Sequence, residues 1–190
     1  HLDEQRYTVT LSERPMPETP SGIELADDSV AVVTGAAGSI VSAIVGDLAR
    51  ASRGVFHLLD LAPEPDRDDP DLVAFGADRD ALKRTVFERL QAAGERATPA
   101  MVEKELAGIE RRHAALAAIQ AVEAAGGTAH YHSVDLTDGD AMAAVTGDIC
   151  EISGKVDLLV HAGGLEISRL MPDKEPAEFD LVFDVKSDGW

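Results

Sequence analysis

Glycines mark the first point where a strand-like run gives way to a helical pattern. Residues 30–33 are apolar and mostly β-branched, and Thr34-Gly35-Ala36-Ala37-Gly38 follows them. Gly35 and Gly38 let the backbone turn tightly, and the next helix aims its N-terminal amides and positive dipole end at that turn. The pattern indicates an anion site suited to a pyrophosphate, although many strand-to-helix turns contain glycine for geometry alone.

Two carboxylates follow later strand-like runs. Asp60 ends the run 55–59, where it could bind the hydroxyls of an adenosine ribose. Asp135 follows the run 128–134 and could accept a hydrogen bond from an adenine amino group. In so acidic a chain, each has an equally simple interpretation as a polar turn or a helix cap.

The elements that must position these residues form an alternating pattern. Apolar runs at 30–33 and 55–59, with further strand-like segments at 128–134 and 156–161, predict four strands. Continuous apolar runs are typical of parallel strands that are covered on both faces. We therefore predict an α/β fold with a doubly wound parallel sheet, whose ligands bind at the carboxyl ends of the strands.

Helical periodicity fills the intervals between the strands. The first helix has an apolar stripe at Ile40, Ile44, Leu48 and Ala51. Further helices are predicted over 79–93, over 98–126 and over 139–152, the last with one apolar face (Ala141, Val145, Ile149, Ile152) and a capping box of Thr137 and Asp140. A final helix begins near Pro176 and is still in progress at Trp190, whereas prolines and acids predict a solvated loop over 62–77.

The domain organisation follows from these patterns. Residues 1–28, which contain one strand-like run at 6–11 and several prolines, are predicted to be an entry segment or linker. Residues 29–190 form one domain, with a helical insertion at about 78–111. The insertion is expected to pack on the flank of the domain, and a partner-docking surface is the alternative.

Composition excludes several functional classes. A formal net charge of -18 argues against nucleic-acid binding and against a basic membrane-surface protein. No apolar run approaches the ~20 residues needed to span a bilayer, and a single Cys150 leaves no internal disulfide. No metal site is predicted, and His130 and His132 are interpreted as packing or edge residues. These features fit a cytoplasmic protein, and His1 in place of an initiator Met suggests excision from a longer chain.

Taken together, the loop motifs resemble those of one superfamily. Thr34-Gly35 with Gly38, Asp60, Val134-Asp135-Leu136-Thr137, Val160-His161-Ala162-Gly163-Gly164 and Asp184-Val185-Lys186-Ser187-Asp188-Gly189 are similar in order and spacing to the short-chain dehydrogenase/reductases. More narrowly, residues 29–190 resemble the ketoreductase domains of type I polyketide synthases and polyunsaturated-fatty-acid synthases. The His-Ala-x-Gly form, the lysine three residues before Gly189 and the helical insertion carry this narrower resemblance.

The resemblance implies a Rossmann-like sheet of about four strands and a specific chemistry. The cofactor would be NADPH, and the substrate a 3-oxoacyl thioester on an acyl carrier protein among neighbouring synthase domains. Lys186 would be catalytic, orienting the site and lowering the pKa of a tyrosine that protonates the alkoxide. The cofactor-binding residues would be Thr34, Gly35, Gly38, Ser39, Ile40, Asp60, Asp135, Leu136, His161, Ala162, Gly163 and Gly164.

The sequence departs from the family pattern at three places. Ser39 and Val41 stand where glycines are usual, which puts cofactor affinity in doubt. Asp60 repels a 2′-phosphate and makes NADH possible, because no Arg or Lys follows it until Arg67. The sequence stops at Trp190, before the expected catalytic Ser and Tyr. The chain alone is therefore expected to be inactive, and its exposed sheet edge makes a homodimer possible.

Three functional hypotheses remain open from the sequence. The first is a ketoreductase fragment of a modular polyketide or fatty-acid synthase. The second is a degenerate, non-catalytic reductase-like structural domain of such a synthase, which Ser39 and Val41 favour. The third is a fragment of an NAD-dependent alcohol dehydrogenase, which depends on Asp60 alone.

Overall fold

Four parallel strands form the centre of the molecule. The computed structural model describes residues 8, 10–15, 24–94 and 96–189. The strands are β1 (Val30–Thr34), β2 (Val55–Asp60), β3 (Thr128–Ser133) and β4 (Leu158–His161). Their order in the sheet is β3-β2-β1-β4, with Val33 beside Leu58 on one side and Val160 on the other. This order confirms the predicted α/β sheet and places the carboxyl ends of β2, β1 and β4 side by side.

Helices connect the strands and cover both faces of the sheet. They are α1 (Ser39–Ser52), α2 (Pro70–Ala77), α3 (Arg79–Ala92), α4 (Pro99–Ala124), α5 (Gly139–Ser153) and α6 (Pro176–Ser187). On one face, α1 and α4 pack through Val45 and Val122 against Val33 and Leu58. On the other face, α5 packs through Ile149 against Val32 and Leu59. No helix in the described ranges is both long enough and apolar enough to cross a membrane.

The buried face of α1 differs from the predicted stripe by one residue. Ile40 and Ile44 are 76% and 41% exposed, and Ala51 is also exposed, whereas Val41, Val45 and Ala49 are buried. The helix carries two adjacent apolar rows at a spacing of four, so periodicity alone could not choose between them. The structure packs the row of Val41, Val45 and Ala49 against the sheet and α4.

The predicted loop over 62–77 is wrong in its second half, which forms α2. Asp69 caps this helix by accepting a hydrogen bond from the Asp71 amide, and Pro70 occupies its first turn. Prolines and acids are therefore helix-start signals here. With α3 and α4, α2 encloses a satellite core of Leu72, Leu82, Val86, Val102, Leu106, Ile109 and Leu116. The predicted domain limits stay predictions.

Three smaller predictions are also corrected. Asp138, and not Thr137, caps α5, because its carboxylate accepts from the amides of Asp140 and Ala141. On the same helix Ile152 is 52% exposed and does not share the buried face. Helix α6 ends at Ser187, and Trp190 lies outside the described residues. The predicted strand at 6–11 lies partly outside them as well, and its described residues do not form a strand.

Candidate functional site

A cavity of about 390 Å³ lies at the carboxyl ends of β1, β2 and β4. This volume falls within the range of small-molecule sites, ~300–1,000 Å³. The predicted site residues that line it are Gly35, Gly38, Ser39, Asp60, Asp135, Leu136, Ala162, Gly163 and Gly164. Thr34, Ile40, His161 and Lys186 are neighbours of lining residues in the chain but do not line the cavity. The structure thus brings most of the predicted residues to one place.

The turn after β1 is built for close approach and leaves a helix end uncapped. Gly35 has φ +70, and a Cβ on it would lie 2.6 Å from the carbonyl oxygen of Ala162. Gly38 is the N-cap of α1, no side chain caps that end, and no acid lies in the first turn. Since first-turn amides have no acceptor within their own helix, this end of α1 can bind an anion.

Thr34 locks the loop after β4 against the end of β1. Its hydroxyl accepts hydrogen bonds from the amides of Ala162 and Gly163, at 3.1 and 3.0 Å, and lies 3.0 Å from His161 Nδ1. On the other side of the ring, His161 Nε2 lies 3.2 Å from the Lys186 carbonyl, which can only accept. The neutral Nε2–H tautomer of His161 therefore satisfies both contacts, with Thr34 donating its proton to Nδ1.

Lys186 fastens α6 to the same loop. Its Nζ donates to the carbonyl oxygens of His161 and Gly163, both at 3.2 Å. An ammonium group has three donors, so one remains for a further partner. Lys186 therefore lies at the rim of the cavity with a fixed position.

Gly163 and Gly164 differ in their surroundings. A Cβ on Gly163 would lie 2.5 Å from Cδ1 of Leu136, whereas a Cβ on Gly164 would meet nothing within 4 Å. Gly163 therefore serves the packing of the protein itself. Gly164 leaves open space beside the cavity.

Asp60 is buried and holds three parts of the chain together. Its Oδ2 accepts from the Ala37 amide at 3.0 Å, and its Oδ1 accepts from the Ala62 amide at 2.9 Å. Arg111 of α4 donates to the same Oδ1 at 2.7 Å. Only 3% of Asp60 is exposed. The carboxylate predicted to bind a ribose is thus already used by the turn after β1, by its own loop and by α4.

Asp135 has local partners. Its Oδ1 accepts from the amide and the hydroxyl of Thr137, at 2.9 and 2.7 Å. These hydrogen bonds, the hydroxyl first, hold the pKa of the carboxyl below its usual range. Asp135 is therefore an exposed anion that closes its own turn while it lines the cavity.

Sequence reasoning missed the wall that α4 contributes. Ala107, Glu110, Arg111 and Ala114 line the cavity at helical spacings of three and four. On the predicted long helix, small residues lie about one turn before and one turn after an arginine. This pattern could have indicated that the helix lines a cavity. The prediction considered only the core-facing stripe of that helix.

A histidine cluster lies away from the cavity, between the sheet and α5. Buried His57 stacks on His130 and His132, and its Nε2 lies 2.7 Å from Ser153 Oγ. Burial, and then the two neighbouring imidazoles, lower the pKa of His57 to about 4. In the described part of the chain, no group of three or more His, Cys, Asp or Glu side chains is arranged to hold a metal ion.

Comparison with known proteins gives the family. Residues 93–190 match the family model of the short chain dehydrogenases. The chain belongs to that family. Over 172 residues it is 29% identical to a subunit of the polyunsaturated fatty acid synthase of Thraustochytrium sp.. That match covers 87% of this chain, which spans 6% of the length of that relative.

Solved structures of family members share the fold. An N-terminal ketoreductase from the macrolactin assembly line is 16% identical, with a TM-score of 0.59, and the match covers 90% of this chain and 26% of that one. A short chain dehydrogenase from Mycobacterium paratuberculosis, bound to NAD, is 21% identical with a TM-score of 0.56. There the match covers 88% of this chain and 48% of that one. Together with the family model and the synthase subunit, these structures confirm the resemblance inferred from the loop motifs.

Proposed function

We propose that the chain forms the dinucleotide-binding part of a ketoreductase within a multidomain synthase. The reaction is the reduction of a 3-oxoacyl thioester, carried on an acyl carrier protein, to the 3-hydroxyacyl form. The single observation that carries the proposal is the meeting of three features at one cavity: the uncapped end of α1, the loop fixed by Thr34, and Lys186. Family membership and the similarity to a synthase subunit support it.

The residues present fit a nicotinamide dinucleotide. The amides of the first turn of α1, with Ser39 beside them, would hold the pyrophosphate. Asp135 and Leu136 would contact the adenine, and the loop 162–164 would lie beneath the ribose on the nicotinamide side. The cofactor supplies the hydride when bound. The lack of any acidic or capping side chain at the end of α1 is the observation on which this fit depends.

Lys186 would act through its remaining donor. Two of its protons are bound by backbone carbonyls, which fixes the ammonium group at the rim. The third would orient a tyrosine and favour its anion electrostatically, so that proton donation to the alkoxide occurs near neutral pH. Tyr131 is not that tyrosine, because its hydroxyl donates to the Ala62 carbonyl and burial raises its pKa. The described residues therefore contain no tyrosine that Lys186 could orient in this way.

Titration with NADPH and NADH, followed by nicotinamide fluorescence, tests cofactor binding. Ser39→Glu places a carboxylate at the first residue of α1 and should weaken binding at least tenfold, while the helix dipole keeps the fold at least as stable. Ala43→Glu adds the same charge to an exposed position one turn later and is the matched control. Equal affinities in both variants and the unmodified chain would refute a pyrophosphate site at this helix end.

Activity is tested on the whole protein with a 3-oxoacyl thioester on its carrier. Lys186→Ala should lower the turnover rate at least a hundredfold and change the NADPH dissociation constant less than threefold. Lys174→Ala removes a lysine that donates to the Ile167 carbonyl instead, and it should leave both quantities near the original values. A Lys186→Ala protein with full turnover would exclude a role for this lysine in the reaction.

One observation favours a second candidate, a structural domain that binds no dinucleotide. Val41 is buried, yet its side chain lines the cavity, and its Cγ2 would lie 3.4 Å from a Cβ on Gly38. A glycine at position 41 would leave more room for a ligand near the N-terminal end of α1. Absence of NADPH and NADH binding at millimolar concentration, by a chain that unfolds cooperatively, would favour this candidate.

A further inference from the structure

Arg111 is the single cation among the described residues that line the cavity. Three carboxylates, Asp60, Glu110 and Asp135, line it as well. Two other arginines are close in sequence to Asp60 or Arg111 and have partners of their own: Arg67 binds Glu123 at 2.9 Å, and Arg112 lies 3.6 Å from Asp69. An anion in this part of the cavity would therefore meet Arg111.

The ion pair with Asp60 fixes the position of the guanidinium. The Asp60 side chain is 2% exposed, so moving Arg111 away would leave a buried carboxylate without its counterion, which is costly. The Arg111 side chain itself remains 47% exposed. A guanidinium has five N–H donors in a rigid plane, and only Nη2 is used by Asp60. Arg111 thus presents an ordered set of donors to the cavity.

The pairing also changes the electrostatic argument from the sequence. The expectation that NADH is possible depended on an unpaired Asp60 with no cation following it until Arg67. In the structure Asp60 accepts from two amides and from Arg111, so its negative charge is compensated by three donors. The cation comes from a residue 51 positions later, on the long helix.

We propose that Arg111 binds the phosphate on the 2′ position of the adenosine ribose and so makes the protein select NADPH over NADH. The inference depends on the proposed function, because it assigns the adenosine half of the dinucleotide to the side of the cavity near Asp60. Bidentate recognition of a phosphate is the chemistry to which a fixed guanidinium is suited. The carboxylate of Glu110 also lines the cavity, and its repulsion of the 2′-phosphate would limit the preference for NADPH. Helix α4, which supplies Arg111, would thereby contribute directly to cofactor selection.

Two pairs of ligands test the inference by calorimetric titration without any catalytic step. NADPH and NADH form one pair, and adenosine 2′,5′-bisphosphate and AMP, which differ only in the 2′-phosphate, form the other. The unmodified chain should bind the 2′-phosphorylated member of each pair at least tenfold more tightly. Arg111→Ala should abolish that ratio, and Arg111→Lys should restore it only in part because a lysine lacks the planar fork. Arg112→Ala, one residue along the helix, should keep it.

Within each variant, the ratio of the dissociation constants for the two members of a ligand pair separates a loss of selectivity from damage to the fold. If Arg111→Ala weakens NADPH and NADH equally, the arginine is a structural partner of Asp60 and the inference is wrong. Equal affinity for both dinucleotides in the unmodified chain also overturns the inference and leaves the proposed function intact. If neither dinucleotide nor either fragment binds, the proposed function itself fails.

Discussion

At the scale of single residues, the polar side chains at the cavity hold loops as well as facing a ligand site. Thr34 fixes the loop after β4, Lys186 ties the same loop to α6, and Asp60 holds the turn after β1. Substituting any of them would remove a hydrogen bond to backbone as well as a group that faces the site. Binding measurements on such variants therefore need a parallel measurement of the free energy of unfolding.

Alanine substitutions at Gly35 and Gly154 distinguish the cost of backbone strain from the cost of steric overlap. Both have positive φ, +70 and +69, but a Cβ on Gly154 would meet nothing within 4 Å, whereas one on Gly35 would approach a carbonyl oxygen to 2.6 Å. Gly154→Ala should cost about 1 kcal/mol in free energy of unfolding. Gly35→Ala should cost about 3 kcal/mol, because overlap adds to the strain. Urea denaturation measures both, and equal losses would show that the turn relaxes.

His57 should make stability fall in mild acid. Its pKa is lowered from 6.5 to about 4 in the folded chain, so the unfolded chain takes up the proton first as the pH falls. Stability from the neutral imidazole is complete above about pH 6.5 and is lost as the pH falls towards 4, by about 3 kcal/mol. Urea denaturation across this interval measures the loss, and NMR titration of the ring identifies its source. A His57 that titrates near 6.5 would contradict this expectation.

At the scale of helices and strands, the sequence predicted most elements but not how they face each other. The four strands were predictable because each strand-like segment is followed within two residues by a glycine or an acid. Helix α2 was missed because proline and aspartate start helices as readily as they form loops. The buried row of α1 was missed because two adjacent apolar rows have the same spacing, and only packing against the sheet and α4 distinguishes them. Arg111 was missed because its pairing with Asp60 joins two distant segments, and no local pattern reports such a contact.

Two neighbouring residues of α2 test whether this helix belongs to a packed core. Leu72 is 2% exposed in the satellite core, and Val73 beside it is 65% exposed. Leu72→Ala should cost about 3 kcal/mol in free energy of unfolding, because it leaves a cavity between α2, α3 and α4. Val73→Ala should change it by less than about 0.5 kcal/mol. Urea denaturation measures the difference, with hydrogen exchange of the α2 amides as the local readout; similar small losses would indicate that α2 is loosely packed.

At the scale of the whole molecule, the negative net charge and the two hydrophobic cores have opposite effects on stability. The doubly wound sheet has its own core, and the satellite core packs beside it through α4. The chain carries a formal net charge of -18, and the ion pairs of the described surface are largely exposed. Exposed pairs contribute little, so general repulsion among carboxylates should outweigh them.

Salt should therefore stabilise the protein. Raising sodium chloride from about 0.01 M to about 0.15 M shortens the Debye length from ~30 to ~8 Å, which screens repulsion between distant carboxylates. The midpoint of thermal unfolding should rise over this interval. Sucrose at matched osmolarity controls for effects that do not involve charge. A midpoint that falls with salt would mean that the surface ion pairs outweigh the repulsion.

The three hydrogen bonds that meet at the Asp60 carboxylate have a consequence for protein engineering. Replacing this carboxylate is an obvious design for exchanging one dinucleotide for the other, yet it would deprive the Ala37 and Ala62 amides and the Arg111 guanidinium of their shared acceptor. Leaving buried amides of this kind without an acceptor costs about 1–3 kcal/mol each, a large part of the stability of a small domain. Redesign should therefore begin on the exposed surface of α4 and leave the strand end untouched. In this protein, the partly exposed Arg111 offers a position where specificity can be varied without removing the acceptor that the two amides share.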